Sequence, residues 1–258
     1  MPSRRWVAAL VVVMSVAPIA ARQGPPPGRA AGPPPTPRAA APIELTGLWV
    51  SIVDEDWRWR MVTAPKGDFP GVPLNPAGRQ IAQAWDPATD GSCRAFGAAG
   101  LLRMPTRVRI SWSDDTTLKL ETDNGQQTRT LEFTSRPARA ASLQGHSLAE
   151  WKRTLPPANP FLGVNLGPGP PRPPGGALKV VTTNLSGGWL RRNGVPYSAR
   201  TTVTEYFDRF PGPDGAEWFV VTTAVDDPEY LLTRFVTSSH FRREMDASKW
   251  NPRPCKPV

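Results

Sequence analysis

Arg107-Val108-Arg109-Ile110-Ser111-Trp112, Leu118-Lys119-Leu120-Glu121-Thr122 and Thr128-Arg129-Thr130-Leu131-Glu132-Phe133 follow one another in residues 107–133. Each alternates apolar and polar residues with period two, the pattern of a strand with one face in a core. Ser113-Asp114-Asp115-Thr116 supplies the first turn. Asp123-Asn124-Gly125-Gln126 supplies the second, because Asn-Gly accepts the positive φ angles that a tight hairpin requires. Three consecutive strands joined in this way predict an antiparallel meander.

The same grammar extends in both directions. Upstream, Leu45-Thr46-Gly47-Leu48-Trp49-Val50-Ser51-Ile52-Val53 is a β-rich opening run. Downstream come Ser142 to Trp151, Leu178 to Thr183, Arg200 to Phe207, Glu217 to Thr223 and Phe235 to Arg243. Gly212-Pro213-Asp214-Gly215 and Asp226-Asp227-Pro228-Glu229 mark turns before the last two. Eight or nine strands in one open sheet would leave two exposed edges, so closure into a barrel is expected in preference to two packed sheets. The 32 Pro and 22 Gly among 258 residues argue against any long helical architecture. One helix is predicted at Pro76 to Trp85, with Asn75 as its cap and Ile81, Ala82 and Trp85 on one face. It falls in a long insert, 54–105, after the first strand.

Residues 1–21 combine Arg4 and Arg5, an apolar run from Trp6 to Ala17, and small residues at Ala20 and Ala21, the three parts of an export signal. The run is short for a bilayer span and is followed by Pro18, so no stable membrane anchor is expected, and a periplasmic or secreted location is. Residues 22–43 are rich in Pro, Ala and Gly and predict a disordered leader. Residues 44–258 are then a single β-barrel domain with surface loops at 54–105 and 156–176. Cys93 and Cys255 are the only cysteines, and in an oxidising compartment they are expected to pair. On the chain-entropy model so wide a loop contributes about 4 to 5 kcal/mol.

The net charge of +9 is concentrated at the amino terminus: Arg4, Arg5, Arg22, Arg29 and Arg38 precede the first acidic residue, Glu44, which leaves +4 for the remainder. Without a basic run or a basic helix, nucleic acid is not an expected partner. Glycine-rich phosphate loops and dinucleotide fingerprints are absent, and no cofactor is expected. No Gly-x-Ser-x-Gly elbow is present, His146 and Ser147 as strand neighbours point to opposite faces, and His240 lies far along the chain from His146 and Glu150, so neither a serine triad nor a metal site is predicted.

Asp54-Glu55-Asp56-Trp57-Arg58-Trp59-Arg60 is the densest functional segment. Read as extended, it places Asp54, Asp56, Arg58 and Arg60 on one face and Trp57 and Trp59 on the other. The expectation is a pocket mouth at which Trp57, Trp59, Arg58 and Arg60, joined by His146 and Tyr197, hold a small apolar or amphipathic ligand without turnover. Two alternatives stand beside it. One is a hydrolase of an envelope or extracellular substrate using carboxylates such as Asp56 and Glu205; the other is an envelope interaction module built on the Pro-rich segments.

Gly47-Leu48-Trp49 is similar to the Gly-x-Trp signature of lipocalins and related calycin barrels. The resemblance implies that Trp49 closes one barrel end beneath an arginine from the last strand, a role open to Arg242 or Arg243. Gly145-His146-Ser147 with Trp151, Asn193-Gly194-Val195-Pro196-Tyr197-Ser198, Glu205-Tyr206-Phe207 and Asp226-Asp227-Pro228-Glu229-Tyr230 resemble a family of exported bacterial β-rich proteins without an assigned activity. That resemblance implies export and a β-rich domain, and supplies no catalytic residue.

Overall fold

Alternation along each strand drives one face inward, and in a computed structural model of the protein the sheet curls until its first strand meets its last. The structure describes residues 33–88, 90, 93–135, 137, 140–153 and 175–256. Pro35–Val258 is one compact unit. The expected export signal, the start of the leader and most of the 156–176 loop lie outside the described residues. The barrel strands are β1 (Gly47–Ile52), β2 (Arg107–Asp114), β3 (Thr117–Thr122), β4 (Thr128–Glu132), β5 (His146–Arg153), β6 (Gly176–Thr183), β7 (Thr202–Pro211), β8 (Glu217–Asp226) and β9 (Phe235–Arg243). β1 pairs with β2 on one side and with β9 on the other, which completes a closed nine-stranded barrel. All neighbours are antiparallel except β4 and β5, which run parallel.

The inward residues fill the lumen in layers. Around the end where β1 begins, Trp49, Phe207, Phe219 and Phe241 are fully buried; the Phe219 ring lies 4.8 Å from Trp49, 6.1 Å from Phe207 and 4.7 Å from Phe241. Val108, Ile110, Leu118, Leu120, Leu131, Leu178, Val180 and Val221 pack around them. Nearer the other end a polar layer crosses the lumen. The Arg129 guanidinium makes a bidentate pair with Glu205 at 3.0 and 2.5 Å and also donates to the Thr182 hydroxyl, which contacts Ser147. Neither charged side chain of this pair is exposed. Closure is as expected, but the lumen is occupied by the protein's own side chains.

Both ends are covered. At the β1-start end, residues 35–43, assigned to the mobile leader on composition, instead pack on the barrel: the Trp151 indole donates to the Pro37 carbonyl, the Arg38 amide to Asp115 and Arg153 to Ala40. Ile43 reaches the core beside Trp112, Phe133 and Trp151. Composition did not show this because the anchoring groups belong to the barrel. At the opposite end a cap is built from three short helices, α1 (Trp57–Arg60), α2 (Pro76–Ala84) and α3 (Ala98–Leu101), and a hairpin of Gly188–Arg191 with Val195–Tyr197. α2 starts as read, with the Asn75 side chain accepting from the Gly78 amide. Leu74, Ala82, Leu185, Leu190 and Tyr197 from the cap meet Val203, Val225 and Phe235 from the strand ends in a second core. No helix among the described residues is long and apolar enough to cross a membrane.

Candidate functional site

Trp49, Arg242 and Arg243 lie at the β1-start end. The Arg243 guanidinium stands 4.9 Å over the Trp49 ring and donates to the Thr46 carbonyl, while the Trp49 indole donates to Leu45. Arg242 instead faces outward to Asp214. Gly47, at φ +123°, passes beneath the Arg243 guanidinium, where any Cβ would collide.

The cap carries the clefts. One of about 260 Å³ is lined by Ile81, Arg94, Trp189, Tyr197, Glu229 and Tyr230, among others. Its walls are held by buried carboxylates. Asp90 accepts from the indoles of both Trp85 and Trp189, at 3.0 and 2.8 Å, which fixes the Trp189 plane. Asp227 accepts from the Ser198 amide and hydroxyl and from the Glu229 amide, locking the turn after β8 to the hairpin. The Arg94 guanidinium lies 3.8 Å over Trp189. The Tyr197 hydroxyl is buried without a hydrogen-bond partner among the described residues, and burial raises its pKa far above the ordinary tyrosine value. A second cleft, of about 290 Å³, contains Arg192, Arg253 and Lys256 beside Phe96 and Asn124. Its wall depends on the Cys93–Cys255 disulfide, whose Cα atoms are 5.7 Å apart, and on the parallel pairing of Arg253–Pro254 with Asn124–Gly125.

The 54–60 segment departs from the extended reading. Asp56 adopts a left-handed conformation, φ 50°, and Trp57–Arg60 form one helical turn, so the odd and even positions do not separate onto two faces. The turn is held by side chains that period-two reasoning does not see. Arg60, buried, pairs with Glu55 and donates to the Arg103 carbonyl; Arg103 pairs with Asp56 at 2.8 Å; Arg58 pairs with Asp68 at 2.7 Å. Trp57 is exposed, while Trp59 lies beneath the Arg191 guanidinium at 4.7 Å. His146 begins β5, 3.8 Å from Glu132. The predicted contacts therefore divide: Arg58, Trp59 and Arg60 share one cluster, Tyr197 lines the cleft of Trp189, and His146 has a neighbourhood of its own.

His240 on β9 brings its Nδ1 to 3.0 Å from Asp54 Oδ1 and 3.2 Å from Glu55 Oε2. The ligand atoms of these three residues lie within 4.8 Å of one another, the one grouping of metal-binding type among the described residues. The carboxyls share a hydrogen bond. It holds Asp54 below the usual carboxylate range, while burial and the Asp54 contact push Glu55 up. The Arg60 guanidinium acts on Glu55 in the opposite sense, favouring its charged form. Sequence reading missed this grouping, and it missed Arg94, Arg103, Trp189, Arg191 and Arg192. The available signal was Trp189-Leu190-Arg191-Arg192, which again sets tryptophan beside two arginines, next to an Asn-Gly turn.

A closed nine-stranded barrel is consistent with the calycin superfamily at the level of fold alone. No family model, curated protein or solved structure matches the chain.

Proposed function

We propose that the chain is an exported, calycin-like protein that binds a small amphipathic molecule at the capped end of the barrel and does not transform it. The observation that carries this reading is the Trp189 cleft, which has an aromatic lining of Trp189, Tyr197 and Tyr230 beside the charged groups of Arg94 and Glu229. Its volume, about 260 Å³, lies just below the usual range of small-molecule sites, about 300–1,000 Å³, and suits a compact ligand with one polar end. The carboxylates behind its walls fix it in advance, which limits the ordering cost of binding. Hydrolysis is less well supported, because Glu205 is fully buried against Arg129 and Asp56 is engaged by Arg103.

Calorimetric titration with indole-3-acetate, an aromatic acid of suitable size, tests the reading. Saturable binding that falls at least tenfold in Arg94→Ala supports it, because Arg94 is exposed and its removal leaves the core intact. Absence of binding across aromatic acids and short fatty acids, or binding indifferent to Arg94 and Trp189, contradicts it.

A further inference from the structure

The arginines on the other side of the capping hairpin present a different problem. Arg60, Arg103 and Arg191 are 2%, 6% and 5% exposed. Six buried nitrogen atoms here have no acceptor among the described residues: Trp59 Nε1, Arg60 Nη2, Arg103 Nη1, Arg191 Nε and Nη1, and Arg192 Nε. They belong to one neighbourhood. Arg191 stacks on Trp59, Arg192 donates to the Arg60 carbonyl at 3.1 Å, and Arg60 donates to the Arg103 carbonyl at 2.9 Å. The positive charge of Arg103 acts on both Arg60 and Arg191.

The local carboxylates are committed elsewhere. Glu55 takes Arg60, Asp56 takes Arg103 and Asp68 takes the exposed Arg58. Among the described residues the Arg191 side chain has its ring contact and no hydrogen bond or ion pair. Burial and Arg103 pull its pKa down to about 10, and the nearby Asp56 and Asp68, both already paired with other arginines, offset this only in part. An unpaired buried charge is among the costliest features a fold can carry. Water can accept some of these N–H groups but brings no compensating charge. A guanidinium offers a planar fork that matches two oxygens of a carboxylate, sulfate or phosphate.

We propose that Arg191, with Arg60, Arg103 and Trp59, forms an anion-binding site for an oxyanion group, either a free inorganic ion or the head group of a small organic acid. The exposed Trp57 ring on α1 offers a face for whatever carries that group. This site is independent of the Trp189 cleft, and its test uses none of that cleft's residues.

The test compares thermal melting of the full chain, disulfide intact, in chloride and in sulfate or phosphate at matched ionic strength. The expected result is a saturable rise in melting temperature with sulfate and phosphate, and a phosphate-induced change in indole fluorescence that Trp59→Phe removes. Arg191→Met is expected to abolish the response while melting in chloride no lower than the wild type, since it removes an uncompensated charge. Arg191→Lys, which keeps the charge but not the fork, is expected to weaken anion affinity at least tenfold and covers the case in which the methionine variant does not fold. Octyl phosphate separates the two sources: a larger rise than with inorganic phosphate points to a head group, an equal one to the free ion. No specific anion response in the wild type overturns the proposal. So does a response unchanged in Arg191→Lys, or a chloride melting temperature that falls by several degrees in a folded Arg191→Met protein.

Discussion

Tyr197 and Gly47 show how single atoms set the energetics. The buried Tyr197 hydroxyl has no partner, so Tyr197→Phe is expected to keep the fold and stabilise it by about 1 kcal/mol at neutral pH. The pH dependence follows from the raised pKa. Above the ordinary tyrosine value of 10.0 the unfolded chain loses this proton while the folded protein retains it, so stability falls as pH rises. Denaturant titrations at pH 8 and pH 11 should show a smaller alkaline loss in the Tyr197→Phe variant; an equal loss would place the hydroxyl in a solvated environment. At Gly47 both the φ of +123° and the Arg243 guanidinium exclude a Cβ. Gly47→Ala is expected to cost about 2 to 4 kcal/mol, from backbone strain and the displaced cation–π contact, as read from chemical unfolding.

At the scale of elements, the strands and helix α2 were legible and the rest of the cap was not. Alternation, β-rich runs and turn signals together marked all nine barrel strands, and the strand read after the Asp226–Glu229 turn, Phe235 to Arg243, has the bounds observed. The 54–60 segment failed for the complementary reason: its helical turn is dictated by Arg103 and by a left-handed Asp56, neither of which leaves a periodic trace. The Asp123–Gln126 turn was also more than a hairpin. Its Asn124–Gly125 pair is the docking strand for the carboxyl-terminal tail. Replacing both Cys93 and Cys255 by serine is expected to cost about 4 to 5 kcal/mol and to raise amide exchange at Asn124, Gly125 and Arg253, leaving the barrel strands protected. Exchange that stays slow in the tail would show that strand pairing alone holds it. A chain beginning at Glu44 is expected to melt lower and to red-shift its tryptophan emission, because residues 35–43 cover Trp112 and Trp151. Unchanged emission would mean that this segment is dispensable.

For the whole molecule, closure was readable and occupancy was not. Eight or nine short strands with nothing to cover two open edges imply a ring. Whether that ring encloses a hollow depends on which inward side chains meet across it, and the cluster of Trp49, Phe207, Phe219 and Phe241 joins strands far apart in the chain. The Arg129–Glu205 pair likewise joins residues 76 positions apart, so neither its partners nor its burial was visible in local sequence. With the lumen filled, the proposed recognition falls to the cap, where Asp90 holds the Trp85 and Trp189 indoles and Asp227 holds the turn against Ser198. Fluorine NMR of the 5-fluorotryptophan-labelled protein, titrated with indole-3-acetate, tests this division most directly. The account predicts that the Trp189 resonance moves and saturates while Trp49, deep in the barrel, stays fixed; a shift at Trp49 with Trp189 unmoved would contradict it.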